Sequence, residues 1–263
     1  MSYQAATQAF ERLLEIMHRL RAPGGCPWDR EQTHASLRPY LLEEAYEVLG
    51  AIDEQDDEAL CEELGDLLLQ VVFHAELAGE TGRFGAADVA DAICRKLVRR
   101  HPHVFGDTPA PAAADVMRHW HRLKDAELGD GPNRLVADLV PQALPALARA
   151  QKVGSKLGRR GFDWTDAAAV LEKLNEERRE LDDAVRSGDP AACHRELGDV
   201  LLTLTSLARH LGVSAELSLR DATARLLARS AHVEAAARSA GHEVLDLGEA
   251  ERERLWQLSK REI

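Results

Sequence analysis

The chain has 263 residues, 45% of them hydrophobic, enough for one large buried core or two smaller ones. A formal net charge of -12 weighs against a general binder of nucleic acid or of anionic membrane, since those partners require a basic footprint. No apolar run approaches the ~18 residues of a membrane span, and a polyanionic ligand would have to arrive with a cation.

Aromatic residues make up only 5%, while Ala, Leu, Glu and Arg dominate, a composition that favours helices over strands. Helical periodicity runs through residues 4–21, 37–54, 57–79, 86–100 and 112–128. It returns over 143–158, 166–187, 189–211, 214–240 and 249–262. The expected fold is therefore all-α, with five helices and then five more. Between the two sets lies Gly129-Asp130-Gly131-Pro132-Asn133, followed by Pro141 and Pro145, a cluster of helix breakers that suits a domain boundary. The expected division is an N-terminal helical domain over 1–128, a linker over 129–142 and a C-terminal helical domain over 143–263. Cys26, Cys61, Cys94 and Cys193 are scattered, without zinc-type spacing, and read as reduced thiols of a soluble, cytoplasmic protein.

The two halves repeat one another. Glu43-Glu44-Ala45-Tyr46-Glu47 has its counterpart in Glu176-Glu177-Arg178-Arg179-Glu180, and Glu63-Leu64-Gly65-Asp66 in Glu196-Leu197-Gly198-Asp199. Glu44 stands as far from Glu63 as Glu177 does from Glu196. Trp120 and Lys124 likewise correspond to Trp256 and Lys260.

On a helix, residues three apart share a face, so Glu44 with Glu47 and Glu63 with Asp66 form two grips on successive helices. Apolar neighbours at helical spacing, such as Leu41 and Val48 or Leu60 and Leu67, turn these acids toward the bundle interior. Glu177, Glu180, Glu196 and Asp199 repeat the arrangement. Any one such motif alone is more often a solvated helix face. Equal spacing on two inward faces reverses that reading, because clustered buried carboxylates repel and are costly unless a cation joins them. All-oxygen ligands favour Mg²⁺, with Mn²⁺ as the alternative. Gly65 and Gly198, each preceding an Asp, suggest a close approach at that point of the helix.

With these residues the sequence resembles the MazG family of all-α nucleoside triphosphate pyrophosphohydrolases, whose hallmark is E-x-x-E followed on the next helix by E-x-x-D. The resemblance extends from Gly25-Cys26-Pro27-Trp28-Asp29 through Arg99-Arg100-His101-Pro102-His103-Val104-Phe105 to Gly161-Phe162-Asp163-Trp164 and Trp256. It implies two tandem MazG-like bundles that act as a homodimer. The implied reaction is Mg²⁺-dependent cleavage of nucleoside triphosphates to monophosphate and pyrophosphate, serving nucleotide-pool control. The family's catalytic machinery maps onto the C-terminal half, with Glu177, Glu180, Glu196 and Asp199 as metal ligands; an acid that does not ligate, Glu176 or Glu180, is the expected base. Lys173, Arg225, Arg229, Trp256 and Asp199 would meet the substrate. Arg225 and Thr223 stand where the family favours Lys and Asn, which puts an amide contact in doubt.

The N-terminal half keeps a second possible metal site, Glu44, Glu47, Glu63 and Asp66, accompanied by Lys96, Arg99 and Arg100. That basic set is fuller than the one in the C-terminal half, although it also fits a plain solvated helix face. Trp256 suits either base stacking or packing. Lys152, Lys156, Arg159 and Arg160 are further cations before the Gly161 motif, and His101 and His103 suit a structural loop. Two rivals stand beside the hydrolase: a nucleotide-sensing or partner-binding helical module without turnover, and a di-iron carboxylate bundle. The second would need E-x-x-H motifs alternating with the acids. Glu15 to His18 and Glu31 to His34 are such motifs, but both precede every acid pair.

Overall fold

The computed structural model of the chain describes residues 2–106 and 135–262. The chain divides into two compact units, residues 1–124 and 125–263. Every regular element among the described residues is helical. The helix expected over 112–128, with Trp120 and Lys124, lies outside the described residues.

The first unit contains α1 (Tyr3–Arg21), α2 (Pro27–Glu31), α3 (Arg38–Glu54), α4 (Asp57–Gly79), α5 (Ala86–Arg100) and α6 (Pro102–Phe105). The short helices α2 and α6 were not expected, because four or five residues carry no readable periodicity. Each starts at a proline, whose fixed φ is preorganised for a first helical position. Phe10, Leu13, Leu14, Met17 and Leu20 form the apolar stripe of α1, which meets Leu69, Val72, Phe73 and Leu77 of α4, with Leu37 closing the cluster. Full burial of each such side chain contributes about 1.5–3 kcal/mol. Arg21 lies 5.4 Å from the centre of the Phe73 ring. It donates to both carboxylate oxygens of Glu80, at 2.5 and 2.8 Å, and to the carbonyl of Asp29, so one guanidinium ties the end of α1 to α2 and to the end of α4.

The second unit has a 3-10 turn at Val136–Leu139, then α7 (Ala146–Gly158), α8 (Ala167–Ser187), α9 (Pro190–His210), α10 (Ala215–Ser239), a second 3-10 turn at Val244–Asp246, and α11 (Glu249–Glu262). Within the stretch 129–142, expected as a linker, the described part carries the first of these turns, which packs on α7 with Leu139 and Val140 buried. Helix α7 begins later than its periodicity predicts, since a residue before proline is driven out of the helical region and Pro145 caps the start. The interior here is built from small residues, including Val170, Ala184, Ala208, Val233 and Ala237, together with Thr203, Thr205, Ser206 and Ser259. Thr205 and Ser206 donate back to the carbonyl of Leu202, and Ser259 to that of Trp256, so these hydroxyls are buried with a partner. Asp163 receives Arg209 at 2.7 and 2.5 Å and lies 3.2 Å from Nε2 of His210, clipping the loop after α7 to the end of α9. A Cβ at Gly158 would stand 2.5 Å from the Asp163 carboxylate, so this approach requires glycine.

Both units build an antiparallel hairpin from the two acid-bearing helices, α3 with α4 and α8 with α9. The turns are equivalent. Gln55 (φ 56°) ends α3 in the left-handed region, and Asp56 then caps α4 by accepting from the Glu58 and Ala59 amides at 3.0 and 3.1 Å. In the second unit Gly188 (φ 69°) and Asp189 do the same, Asp189 accepting from the Ala191 amide at 2.9 Å before Pro190.

Candidate functional site

In an antiparallel hairpin, residues at equal distance from the turn face one another. The hairpin α3–α4 thus sets Glu47 opposite Glu63, Glu44 opposite Asp66, and Tyr40 opposite Gln70. In α8–α9 the same layers hold Glu180 with Glu196, Glu177 with Asp199, and Lys173 with Thr203. Carboxylate oxygens of Glu44, Glu63 and Asp66 lie within 4.8 Å of one another, and so do those of Glu177, Glu196 and Asp199. Three of the four acids expected as ligands therefore converge in each unit. The fourth, Glu47 or Glu180, stands beside the triplet.

The acids are less deeply set than their spacing suggests. Only Glu177, 6% exposed, is buried. Glu44, Glu63 and Glu196 are half-buried, whereas Glu47, Glu180 and Asp199 are exposed. A three-residue step turns a helix by about 60° short of a full turn, which leaves the second acid of a pair nearer the rim. Among the described residues no packing neighbour makes the approach expected at Gly65 and Gly198, for nothing lies within 4 Å of a Cβ built at either. Both glycines sit on the exposed side of their helices.

Charge separates the two clusters. Among the described residues no Lys, Arg or His pairs with Glu44, Glu47, Glu63 or Asp66. Loss of solvent pushes the Glu44 carboxyl up, and repulsion from Asp66, Glu47 and Glu63 adds to it. Glu63 is pushed up in the same way, by loss of solvent first and then by Glu47 and Asp66, and Glu47 lies within hydrogen-bonding reach of both. In the second unit Lys173 donates to Glu176 at 2.9 Å and contacts Glu177 at 2.8 Å. These bonds, the one to Glu177 foremost, hold the ammonium above its ordinary range. Glu180 is pushed up by loss of solvent and by Glu177, with Lys173 acting in the opposite direction.

The other expected residues are spread more widely. Arg225 is exposed and Arg229 half-buried on α10, and the buried Nε of Arg229 has no hydrogen-bond partner among the described residues. Thr223 spends its hydroxyl on the carbonyl of Leu219. Trp256 lines a cleft of about 730 Å³ between α10, the second 3-10 turn and α11, together with Ser230, Val233, Val244, Glu249, Arg252 and Glu253. None of the clustered acids belongs to that lining. Lys96 is exposed on α5. Arg100, by contrast, is buried at the position equivalent to Val233 and has left the basic face on which the sequence set it. Lys156 is buried on α7 and Lys152 half-buried, while Arg159 and Arg160 are exposed. His101 lies with Nδ1 2.7 Å from the Leu97 carbonyl at the end of α5, a structural cap.

Two features escaped the sequence. Gln70 is 6% exposed and its buried Oε1 has no partner among the described residues, although its register with Thr203 marks it as a polar residue on an inward face. Tyr40, at the Lys173 position, places its ring edge-on to Trp28, with centroids 5.8 Å apart. The di-iron reading fails on geometry. His18 pairs with Glu76 at 2.7 Å, and His34 stacks on His74, so neither joins an acid cluster.

A profile of the MazG nucleotide pyrophosphohydrolase domain matches residues 32–105 and again residues 165–234, one match over each acid-bearing hairpin. The chain belongs to the MazG family. It is 44% identical to the nucleoside triphosphate pyrophosphohydrolase of Escherichia coli strain K12, over 96% of this chain and 97% of that protein. The nucleoside triphosphate pyrophosphohydrolase/pyrophosphatase MazG of Thermotoga maritima is 45% identical over 84% of this chain and 83% of its own length. A nucleoside triphosphate pyrophosphohydrolase of Mycobacterium tuberculosis is 43% identical over 59% of this chain. The matches cover both units, so the tandem repeat is a repeat of the MazG domain itself. No helix among the described residues is long and apolar enough to cross a membrane.

Proposed function

We propose that the protein hydrolyses nucleoside triphosphates to the monophosphate and pyrophosphate, with Glu177, Glu196 and Asp199 as the working site and Mg²⁺ or Mn²⁺ as cofactor. The observation that carries this is the convergence of three carboxylates from α8 and α9 within 4.8 Å, in a chain of the MazG family. The names of the long-matching relatives support the substrate class. An all-oxygen donor set of this compactness fits a hard divalent cation, which commonly keeps positions for water and phosphate. Such an ion, when bound, supplies Lewis acidity toward phosphate oxygens and lowers the pKa of a water.

The chain's own residues supply the rest. Glu177, Glu196 and Asp199 orient the cation by their placement on two packed helices. Glu180, beside the triplet and outside it, is the acceptor for a proton from the attacking water, while Glu176 starts bonded to Lys173 and is the second candidate. Lys173, Arg225 and Arg229 offer positive charge to a triphosphate and to the leaving pyrophosphate. Trp256, in its own cleft, offers a flat face for a base.

The same reading makes the protein a cytoplasmic homodimer that guards the nucleotide pool. Leu64, Leu68 and Val71 of α4 and the equivalent Leu197, Leu201 and Leu204 of α9 are all 41–49% exposed, a repeated apolar stripe that suits burial against a second copy. Sedimentation equilibrium of the intact chain and of Leu68→Glu and Leu201→Glu tests it: a monomeric intact chain would refute the dimer.

The activity is tested by measuring monophosphate and pyrophosphate release from a panel of ribo- and deoxyribonucleoside triphosphates, with Mg²⁺, with Mn²⁺ and after chelation. Release that needs the metal and disappears in Glu177→Ala is expected. Absence of release from every substrate would leave only a binding role, and loss in Glu44→Ala alone would move the site to the first unit.

A further inference from the structure

The two acid clusters share their carboxylates and differ in the layer beside them. In the second unit that layer holds Lys173, whose ammonium sits 2.8 Å from the buried Glu177 and 2.9 Å from Glu176. It occupies the electrostatic place of a cation. In the first unit the layer holds Tyr40, turned to Trp28, and Gln70, one turn past Asp66 on the same face of α4. Gln70 is 6% exposed, and its buried Oε1 has no partner among the described residues. An amide oxygen buried in this way lacks a donor, and a metal-bound water is one that would satisfy it. Three converging acids, with Glu47 beside them and no cation among the described residues, stand one helical turn from an amide oxygen that lacks a donor, a set that a hydrated divalent ion would satisfy.

We propose that the two clusters load metal by different rules. The first cluster takes a divalent cation in the absence of nucleotide, with Gln70 accepting from a metal-bound water. The second cluster takes one only when a triphosphate arrives and draws Lys173 from Glu177 onto its phosphate oxygens. Lys173 is in this sense an internal counter-ion that couples metal entry to substrate entry. The inference rests on the metal reading given above and adds the order of events. Placing a positive charge against a ligand of a dication weakens binding steeply at such distances, and the expected effect is at least about tenfold in affinity.

The test is a titration of the intact chain with Mn²⁺, following free Mn²⁺ by electron paramagnetic resonance, with and without an α,β-imido nucleoside triphosphate. Without nucleotide, tight binding is expected in the wild type and in the double variant Glu177→Gln with Glu196→Gln, and is expected to vanish in Glu44→Gln with Glu63→Gln. Lys173→Met is expected to add a second set of nucleotide-independent sites. Tyr40→Lys, which installs the counter-ion in the first cluster, is expected to weaken its Mn²⁺ at least tenfold, and Gln70→Leu to weaken it less. Circular dichroism of each variant separates lost binding from lost fold, and Glu44→Gln alone serves if the double variant unfolds. Nucleotide-free binding that follows Glu177 rather than Glu44, or Lys173→Met without a gain in sites, overturns the proposal while leaving the metal reading intact. No binding under any condition, with nucleotide present as well, defeats the metal reading itself.

Discussion

The hairpins α3–α4 and α8–α9 have the same turn, the same acids in the same register and the same exposed apolar stripe, and yet they differ in electrostatic state. In the first, repulsion among Glu44, Glu47, Glu63 and Asp66 has no compensating cation among the described residues, and Glu44 and Glu63 are pushed toward protonation. In the second, Lys173 compensates, and Glu177 is the most buried acid of either set. A duplicated ligand motif thus does not guarantee a duplicated site. What surrounds the ligands sets the charge that a metal or a phosphate meets.

The largest expected effect separates the two clusters in catalysis. Glu177→Ala should reduce pyrophosphate release by more than the ~100-fold that losing even an outer partner of a metal ligand costs, while Glu44→Ala should leave kcat close to wild type. Steady-state kinetics on both variants checks this, and equal losses would erase the distinction between the units. Glu180→Gln should lower kcat by about 10²-fold with little change in KM, the loss appropriate to a general base, and Glu176→Gln should lower it less. A KM effect alone would make Glu180 a binding residue.

A smaller effect concerns stability, in which the units are alike. Hydrogen bonds from Arg209 first, and then from His210, hold the Asp163 carboxyl below its ordinary range, and Arg21 does so for Glu80. A carboxylate depressed in the folded state stabilises above its unfolded value, near 4, and loses that contribution as pH falls through the lower folded value. Melting temperatures should therefore drop below about pH 4. Asp163→Asn should cost about 2 kcal/mol at neutral pH and reduce the acid sensitivity of the second unit alone. An unchanged pH profile of melting in that variant would show the clip to be unimportant.

The smallest effect lies in the hairpin turns. Gly188→Ala meets no neighbouring atom and should cost only the left-handed backbone penalty, about 1 kcal/mol, while Gln55→Gly should recover a fraction of that in the first unit. Chemical denaturation of the two variants measures both signs. Gains or losses of the same sign would mean that the turns are not equivalent.

The helical class, the repeat and both acid sets were legible in the sequence, because helical periodicity and the spacing of Glu and Asp are properties of one strand of chain. The short helices α2 and α6 were not, since a proline-initiated turn of a few residues has no period to detect. Nor was the fate of the cations. Arg100 reads as part of a basic face with Lys96 and Arg99, yet it enters the interior at the position that Val233 fills in the other unit. Trp256 reads as a stacking or packing residue, and the structure adds that it lines a cleft shared by α10, the second 3-10 turn and α11.

By itself, then, the sequence determined which residues can ligate a cation and that they occur twice, because ligand type and helical register are local. Only the tertiary structure decided which three of each four acids meet, that Tyr40 turns to Trp28, and that the buried Gln70 oxygen has no donor among the described residues. The meeting of the acids depends on the packing of α3 on α4 and of α8 on α9, whereas Lys173 reaches Glu176 and Glu177 along its own helix, three and four residues on. Distances across a helix pair bring the acids together, and the residue one turn along the chain sets the charge they carry.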